Sequence, residues 1–520
     1  MKRIILIAVT LSLALLACEE EENIDFNLQE VTLDELLLSD PAVEMNPSGI
    51  APLTAFIALE AKQEISVDMT VTGPEPLFKT WDFQAKEVDV PVYGLFPGRE
   101  NKIALKITGK DGSYAYDTIS IVTDTIPSYL PDVEIVKARK GLMEQGWNLC
   151  CTGLGNGDDF APYPLMFDNN GVIRWYLNLA EKGMGWVSPF ELLRNGNIVF
   201  GTANIIYEYN WMGMEVNRWT LPSQYWLHHD IIEKPDGNLL AAVNDFKLEE
   251  TVDDIIVEVE RGSGAILNIW DMRKILDVDR KDLTDFDEDW FHMNAIWYSE
   301  EDECLVVSGR QQGVVKVSKS NQLQWILAPH KGWGKAGING DGFETSDYLL
   351  TAVDASGSPY NNNIQLGLEE PAGFSWPWGQ HAPMYLENGN LFLLDNGFNR
   401  QFTGEEQYTH GVEYDIDEDA LTVAQVWEYG KERGAEFFSP IISDVDVLPT
   451  TKNRLITSGI SFAATNYSTI VEVNYPSKEL VFEAKLYYRN ELVDGGVFAW
   501  GGFDLTYRSE RVQLSDAGAI

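Results

Sequence analysis

Three of the six histidines in this chain of 520 residues stand at one position of a repeated strand pattern. The pattern is an alternating apolar segment, a turn ending in Gly-Asn, and a second apolar strand. It is clearest in Phe190-Glu-Leu-Leu-Arg-Asn-Gly196-Asn, Ile231-Ile-Glu-Lys-Pro-Asp-Gly237-Asn and Met384-Tyr-Leu-Glu-Asn-Gly389-Asn. Eight residues before the three glycines stand Ser188, His229 and His381. The related segment from Ala295 lacks the glycine, and the same count back from Glu300 reaches His292. If that position opens the innermost strand of successive sheets around one axis, the repeat converges His229, His292 and His381 in space. Convergent imidazoles offer a nucleophile near neutral pH, a proton carrier, or a metal ligand set. His228 precedes His229, and strand alternation sends only one of the two inward. The spacing favours His229 and leaves His228 as a lesser candidate for substrate contact.

The three surroundings are Trp226-Leu-His-His-Asp230, Asp289-Trp-Phe-His-Met-Asn294 and Trp376-Pro-Trp-Gly-Gln-His-Ala-Pro383. Each sets aromatic residues beside a histidine. Trp290, Trp376 and Trp378 have the surface to stack on an aryl ring, and Trp378 is carried forward as a substrate candidate, although blade packing is the commoner use. Arg310, in Val307-Ser-Gly-Arg-Gln311, has no obvious carboxylate nearby in sequence and reads as an anion receptor. Asp230 either orients an imidazole or faces solvent. Arg400 is expected to pair with Asp395, and His330 and His410 fall outside the repeat position.

The elements that must position these groups are strands. From about residue 135 an alternating strand, a Gly/Asn/Asp/Ser turn and a second strand usually ending in Trp recur six times. The copies run from Pro164 to Trp175, Ile206 to Trp219, Ile255 to Trp270, Val314 to Trp325, Val412 to Trp427 and Ile470 to Phe482. Their spacing suits four-stranded blades, so the fold expected is all-β: a six-bladed β-propeller over 135–520. Residues 27–125 carry short alternating strands between Gly, Pro and Asp turns and read as a small N-terminal β-sandwich, with 126–134 as linker.

A formal charge of -43, from 81 acidic and 38 basic residues, excludes nucleic acid and an anionic lipid surface as partners. Any anionic substrate then needs a local cationic pocket. Met1-Lys2-Arg3, the apolar run Ile4 to Leu16 and Leu15-Leu16-Ala17-Cys18 read as a signal peptide over 1–17 with a bacterial lipobox. Cys18 would be the lipidated first residue, 18–26 an acidic tether, and the product an exported lipoprotein of the cell envelope whose only membrane contact is that anchor. The apolar run is shorter than the ~20 residues of a membrane span. Cys150, Cys151 and Cys304 read as buried small apolar residues.

In order along the chain, the Met45-Asn-Pro-Ser-Gly-Ile-Ala-Pro-Leu-Thr54, His-His-Asp, Asp-Trp-Phe-His-Met-Asn, Ser-Gly-Arg-Gln, Gly-Gln-His-Ala-Pro and Asp395-Asn-Gly segments resemble the bacterial PAPS-independent aryl-sulfate sulfotransferase family. The resemblance covers nearly the whole mature chain. It implies ping-pong transfer: a histidine takes a sulfuryl group from an aryl sulfate, releases a phenol, and passes the group to a second phenol. Matched by motif, the nucleophile falls on His381, with His229, His292 and Arg310 in support. Asn294 matches a polar position of the same motif. Small-molecule donor and acceptor, no cofactor, and a homodimer are further implications. The rival from another class is a metal-dependent propeller hydrolase or lyase, since the same histidines suit zinc, manganese or iron.

Overall fold

The computed structural model describes residues 29–156, 159–185, 187–248, 251–281, 288–405, 407–462, 466–488 and 504–514. The expected signal peptide, Cys18 and the whole of the expected acidic tether lie outside the described residues. Among the described residues strands form seven sheets, and the α-helices are two single turns, Leu33–Leu36 and Asn362–Gln365. The expectation of an all-β chain therefore holds.

The first sheet contains six strands between Gln29 and Val122. Its two long strands, Ala55–Val71 and Leu77–Val92, pair along their length with a register break between Glu60 and Ile65. Before the break Ala55–Val71 carries Ala42–Met45, and after it Glu100–Gly109. Ile57, Leu59, Ile65, Val67, Met69 and Val71 are all buried. That two-residue period is why the segment is extended: a half-buried sheet face needs it. Arg174 anchors this sheet to the rest, donating to Gly94 O and to Asp168 while lying between Phe96 and Trp147.

Each of the other six sheets contains four antiparallel strands joined in order, as in Tyr225–Glu233, Leu239–Asp245, Ile255–Val259 and Ile266–Asp271. The six hairpins read from sequence are the third and fourth strands of these sheets. Their terminal tryptophans have a common task. The indole N–H of Trp175 donates to Trp211 O, Trp219 to Arg261 O, Trp270 to Ser318 O, Trp325 to Glu418 and Trp427 to Pro476 O. Every acceptor lies in the turn between third and fourth strands of the next sheet. A buried indole needs a partner for its N–H. Here that need ties each sheet to its successor.

Two boundaries differ from the sequence reading. Asp132–Ala138, partly inside the expected linker, is already a strand on the edge of the last sheet, against Leu480–Tyr487. Leu505–Val512, which follows the last sheet along the chain, returns to pair with Trp147–Asn156 as the first strand of the first four-stranded sheet. The first strands of neighbouring sheets touch one another from Tyr225–Glu233 through Met293–Ser299, His381–Tyr385 and Asp444–Val447 to Leu505–Val512, and Tyr225–Glu233 also meets the second strand, Ile198–Thr202, of the sheet before it.

Candidate active site

His229 and His381 lie on the first strands of two of these sheets, and His292 immediately precedes that of the sheet between them. All three strands break register at the site: between Leu227 and Ile231, between Met293 and Ala295, and between His381 and Met384. Bulges re-aim side chains that a regular pleat would alternate. His292 and Ala382 also adopt φ values of +52° and +50°. Left-handed backbone at a non-glycine residue costs about 1–3 kcal/mol. The surrounding hydrogen bonds hold it.

The bulge overturns one expectation. Alternation was to send only one of His228 and His229 inward, yet both face the same carboxylate: His228 Nε2 is 3.6 Å from Asp253 Oδ1, and His229 Nε2 is 3.7 Å from Asp253 Oδ2. His292 Nδ1 stands 3.8 Å from the same Oδ2, and the His229 and His292 rings are 4.8 Å apart. His292 Nδ1 has a closer partner, Asp289 Oδ2 at 2.6 Å.

His381 is buried beside them and bonded at both nitrogens. Nδ1 is 2.8 Å from Asn396 Oδ1, and Nε2 is 3.0 Å from Asn294 Nδ2. The Asn396 amide cannot be turned round, because its Nδ2 donates to Ser439 O and Ile442 O. Its oxygen therefore accepts, and the His381 proton sits on Nδ1. Asn294 is fixed in the same manner by donating to Gln380 O at 2.8 Å. The Nε2 lone pair is thus presented to a donor.

Arg310 follows the strand Cys304–Gly309, its backbone N–H held by His292 O at 3.0 Å and its Nη2 by Pro440 O at 3.2 Å. Gly309 makes the approach possible: a Cβ there would lie 2.2 Å from the Phe291 ring. Burial lowers the Arg310 pKa to about 10, with Asp289 acting in the opposite sense, so the guanidinium is charged at neutral pH. Although no carboxylate stands near Arg310 in sequence, the fold brings Asp289 within electrostatic reach of it.

Burial pushes the imidazoles of His228, His229 and His381 towards neutrality. His228 and His229 are lowered to about 3, chiefly by burial and next by the His292 charge. His381 is held well below the ordinary 6.5, again by burial, with the Asn396 bond opposing and Arg310 reinforcing it. The same burial raises Asp253, against the pull of His229 and His292.

Other expected residues have other uses. Trp378 is fully buried and packs edge-on against Phe402, so it offers no open face to a ligand. Trp376 packs on Phe374 and Trp290 on Phe291. Asp230 neither orients an imidazole nor faces solvent: it accepts from Ile296 N and Arg508 and ties three inner strands together. Arg400 pairs with Asp395 at 2.6 Å, as its spacing suggested. Cys150, Cys151 and Cys304 are free and buried.

Sequence reasoning missed Asp253, Asp289, Asn396 and Tyr507. Tyr507 Oη is 3.1 Å from His229 Nδ1, and its ring centroid is 6.2 Å from those of both His229 and His381. It arrives on Leu505–Val512, a strand with no copy of the repeat. Asn396 and Asp289 were in the quoted segments but received no role, and Asp253 had no signal. Beside His229 and Tyr507 lies an apolar pocket walled by Pro162, Val187, Pro189, Phe190 and Leu505. Ligand-type atoms of His228, His229 and Asp253, and of Asp253, Asp289 and His292, come within 4.8 Å of one another.

Comparison with known proteins places this geometry in a family. Residues 129–492 match the model described as arylsulfotransferase (ASST), and residues 42–124 match that of the arylsulfotransferase Ig-like domain. The chain is 28% identical over 544 residues to the arylsulfate sulfotransferase AssT of Escherichia coli O6:H1, covering 85% of this chain and 89% of that one. It is 27% identical over 546 residues to AssT of Lelliottia amnigena, with the same coverage. A solved structure of the Dos1 propeller aligns with 86% of this chain and 93% of its own at 10% identity, and its TM-score of 0.25 is too low to bear on the fold. With the larger match spanning most of the chain, the protein belongs to the arylsulfotransferase family, the PAPS-independent aryl-sulfate sulfotransferases.

Proposed function

We propose that the six four-stranded sheets are the blades of one six-bladed propeller, and that its axis carries a two-step sulfuryl transfer through His381. The observation that carries this reading is the bonding of His381. With its proton committed to Asn396 Oδ1, Nε2 is a neutral nucleophile at a defined atom.

In the first step the Nε2–S bond forms as the bond between sulfur and the phenolic oxygen of the donor breaks, and the electron pair leaves on that oxygen. In the second the acceptor's oxygen forms the new S–O bond, and the S–N pair returns to His381. Arg310 and Asn294 supply donors for the three sulfuryl oxygens, whose transfer depends on positioning and charge stabilisation. The aryl ring is assigned to the apolar pocket beside Tyr507, whose walls match its chemistry.

The phenolic proton is assigned to His292. Its Nδ1–H donates to Asp289, which leaves Nε2 as the exchanging nitrogen and gives the imidazolium a carboxylate partner. His229 is less suited. Burial keeps Tyr507 a neutral hydroxyl, a donor to Nδ1, so the His229 proton sits on Nε2 towards Asp253.

The deciding experiment is transfer from 4-nitrophenyl sulfate to phenol, with a denaturing quench to trap the adduct. Wild type is expected to yield an acid-labile sulfo group on His381. His381→Ala should lose transfer by about 10⁴-fold or more, together with the adduct. Normal turnover in that variant would refute the assignment.

A second reading, a metal-dependent enzyme, is favoured by the two ligand-like clusters on Asp253. Against it, His292 Nδ1 is already engaged by Asp289, and the charged Arg310 is close to that carboxylate. The proposal also extends to Cys18 as a lipid anchor in the cell envelope. Cys18→Ser should then move the protein from membrane fractions to soluble ones.

A further inference from the structure

Asp253 has no place in the transfer described above, yet its carboxylate confronts three imidazoles at nearly equal distances. His228 Nε2, His229 Nε2 and His292 Nδ1 stand 3.6, 3.7 and 3.8 Å away. These separations are beyond a hydrogen bond and within strong electrostatic reach. His228 is itself buried beside this carboxylate.

The backbone around Asp253 is arranged to deliver the side chain there. Its φ is +55°, a left-handed conformation that aspartate adopts at a cost. Its N–H donates to Asn244 Oδ1 at 2.6 Å. Its carbonyl accepts from Met293 N at 2.9 Å, and Val252 N donates to Glu288 O at 2.9 Å. Two loops from neighbouring sheets are thereby clasped, one carrying Asp253 and the other Asp289 and His292. Asp253 and His292 are both left-handed residues, joined through Met293. Strain kept at two joined positions points to a constraint that packing alone does not require.

Resting on the reading above, we infer that Asp253 is a positioning residue for the acid–base step: it fixes the His229 tautomer and is the shared counter-charge when the phenolic proton makes the facing imidazole pair cationic. The proton moves between the phenolic oxygen and His292 Nε2. Asp289 holds the far nitrogen of that ring, and the Asp253 carboxylate, 3.8 Å from the same nitrogen, offsets the new charge beside His229. Sulfur–nitrogen bond making and breaking at His381 does not involve it.

This predicts dependence on the phenol. A nitrophenol leaves without needing its proton handled, whereas a phenol of pKa ~10 leaves or attacks more easily with help. In Asp253→Asn, the burst of nitrophenol and the sulfo-His381 adduct from 4-nitrophenyl sulfate should stay within about threefold of wild type. Turnover with phenol as acceptor should fall about 100-fold, the range of one general acid–base contribution. Across a series of aryl sulfates, the dependence of rate on leaving-group pKa should steepen. Asp253→Glu should recover part of the loss.

Equal loss for every donor and acceptor, with an unchanged leaving-group slope, overturns the proposal in favour of a fold-maintaining role. So does an unaltered acceptor rate. Stoichiometric metal in wild type that Asp253→Asn removes also overturns it, assigning the carboxylate as a ligand. Absence of the wild-type burst and adduct would defeat the underlying transfer reading instead, so the two failures are distinguishable.

Discussion

Asn396 Oδ1 lies 2.8 Å from His381 Nδ1, and the amide that offers this oxygen is held at its other end by Ser439 O and Ile442 O. One asparagine with no freedom to flip thus decides which nitrogen of its neighbour bears the proton. Asn396→Leu releases that choice. We expect kcat to fall about 10²-fold with KM changed little, as for other groups that orient a reacting one. A raised KM at constant kcat would instead make Asn396 a binding residue.

Arg310→Lys keeps the charge and loses the planar fork. A fall of about 10²-fold in kcat/KM for aryl sulfates is expected, the size of losing one transition-state donor. Steady-state rates with 4-nitrophenyl sulfate check it, and near-normal rates would make the guanidinium structural.

The nucleophile should remain neutral in mild acid. With His381 held well below 6.5 by burial, the nitrophenol burst at pH 5.5 is expected within about twofold of that at pH 7.5. An inflection at pH 6.5 that vanishes in His381→Ala would contradict the burial argument.

Stability should respond to pH through a different set of groups. A cavity of about 250 Å³ is lined by Glu191, Asp444, Asp446, Glu510 and Arg508, among others. Burial is the main cause that raises Asp444 to about 6 and Glu510 to about 7, and it carries Glu191 and Asp446 well above the carboxylate range. A carboxyl whose folded pKa exceeds its unfolded one binds its proton better when folded. Its stabilisation is complete below about pH 4 and lost as pH rises through the folded value. Asp446→Asn should therefore raise Tm more at pH 8 than at pH 5. Equal shifts at both would show that the carboxyls bear no such cost.

Chelator treatment separates the two chemical readings. Transfer is expected to survive dialysis against EDTA, with metal content far below one per chain by elemental analysis. Activity that disappears and returns with one divalent ion would favour the metalloenzyme.

The repeat made the histidines legible because every copy of the four-stranded sheet must solve the same packing problem, and position in the copy becomes position along the adjoining first strands. The six hairpins ending in Trp or Phe were legible for the same reason, and five indoles prove to bridge one sheet to the next. Asp253 was not, since it sits in a loop outside the periodic strands, where only its φ of +55° and its neighbours give it meaning. The pairing of His228 with His229 was misread because alternation assumes a regular pleat, and the strand bulges there. Tyr507 escaped because the strand that carries it fills a gap left at the start of the repeat, more than 300 residues away.

That late strand has a bearing on when the enzyme becomes active. Until Leu505–Val512 is laid beside Trp147–Asn156, the first four-stranded sheet lacks its inner edge and His229 lacks its hydroxyl partner. A polypeptide clipped before Leu505 carries all three histidines without the Tyr507 hydroxyl that meets His229. The centre is thus complete only in a chain that has been made, and folded, to its last strand.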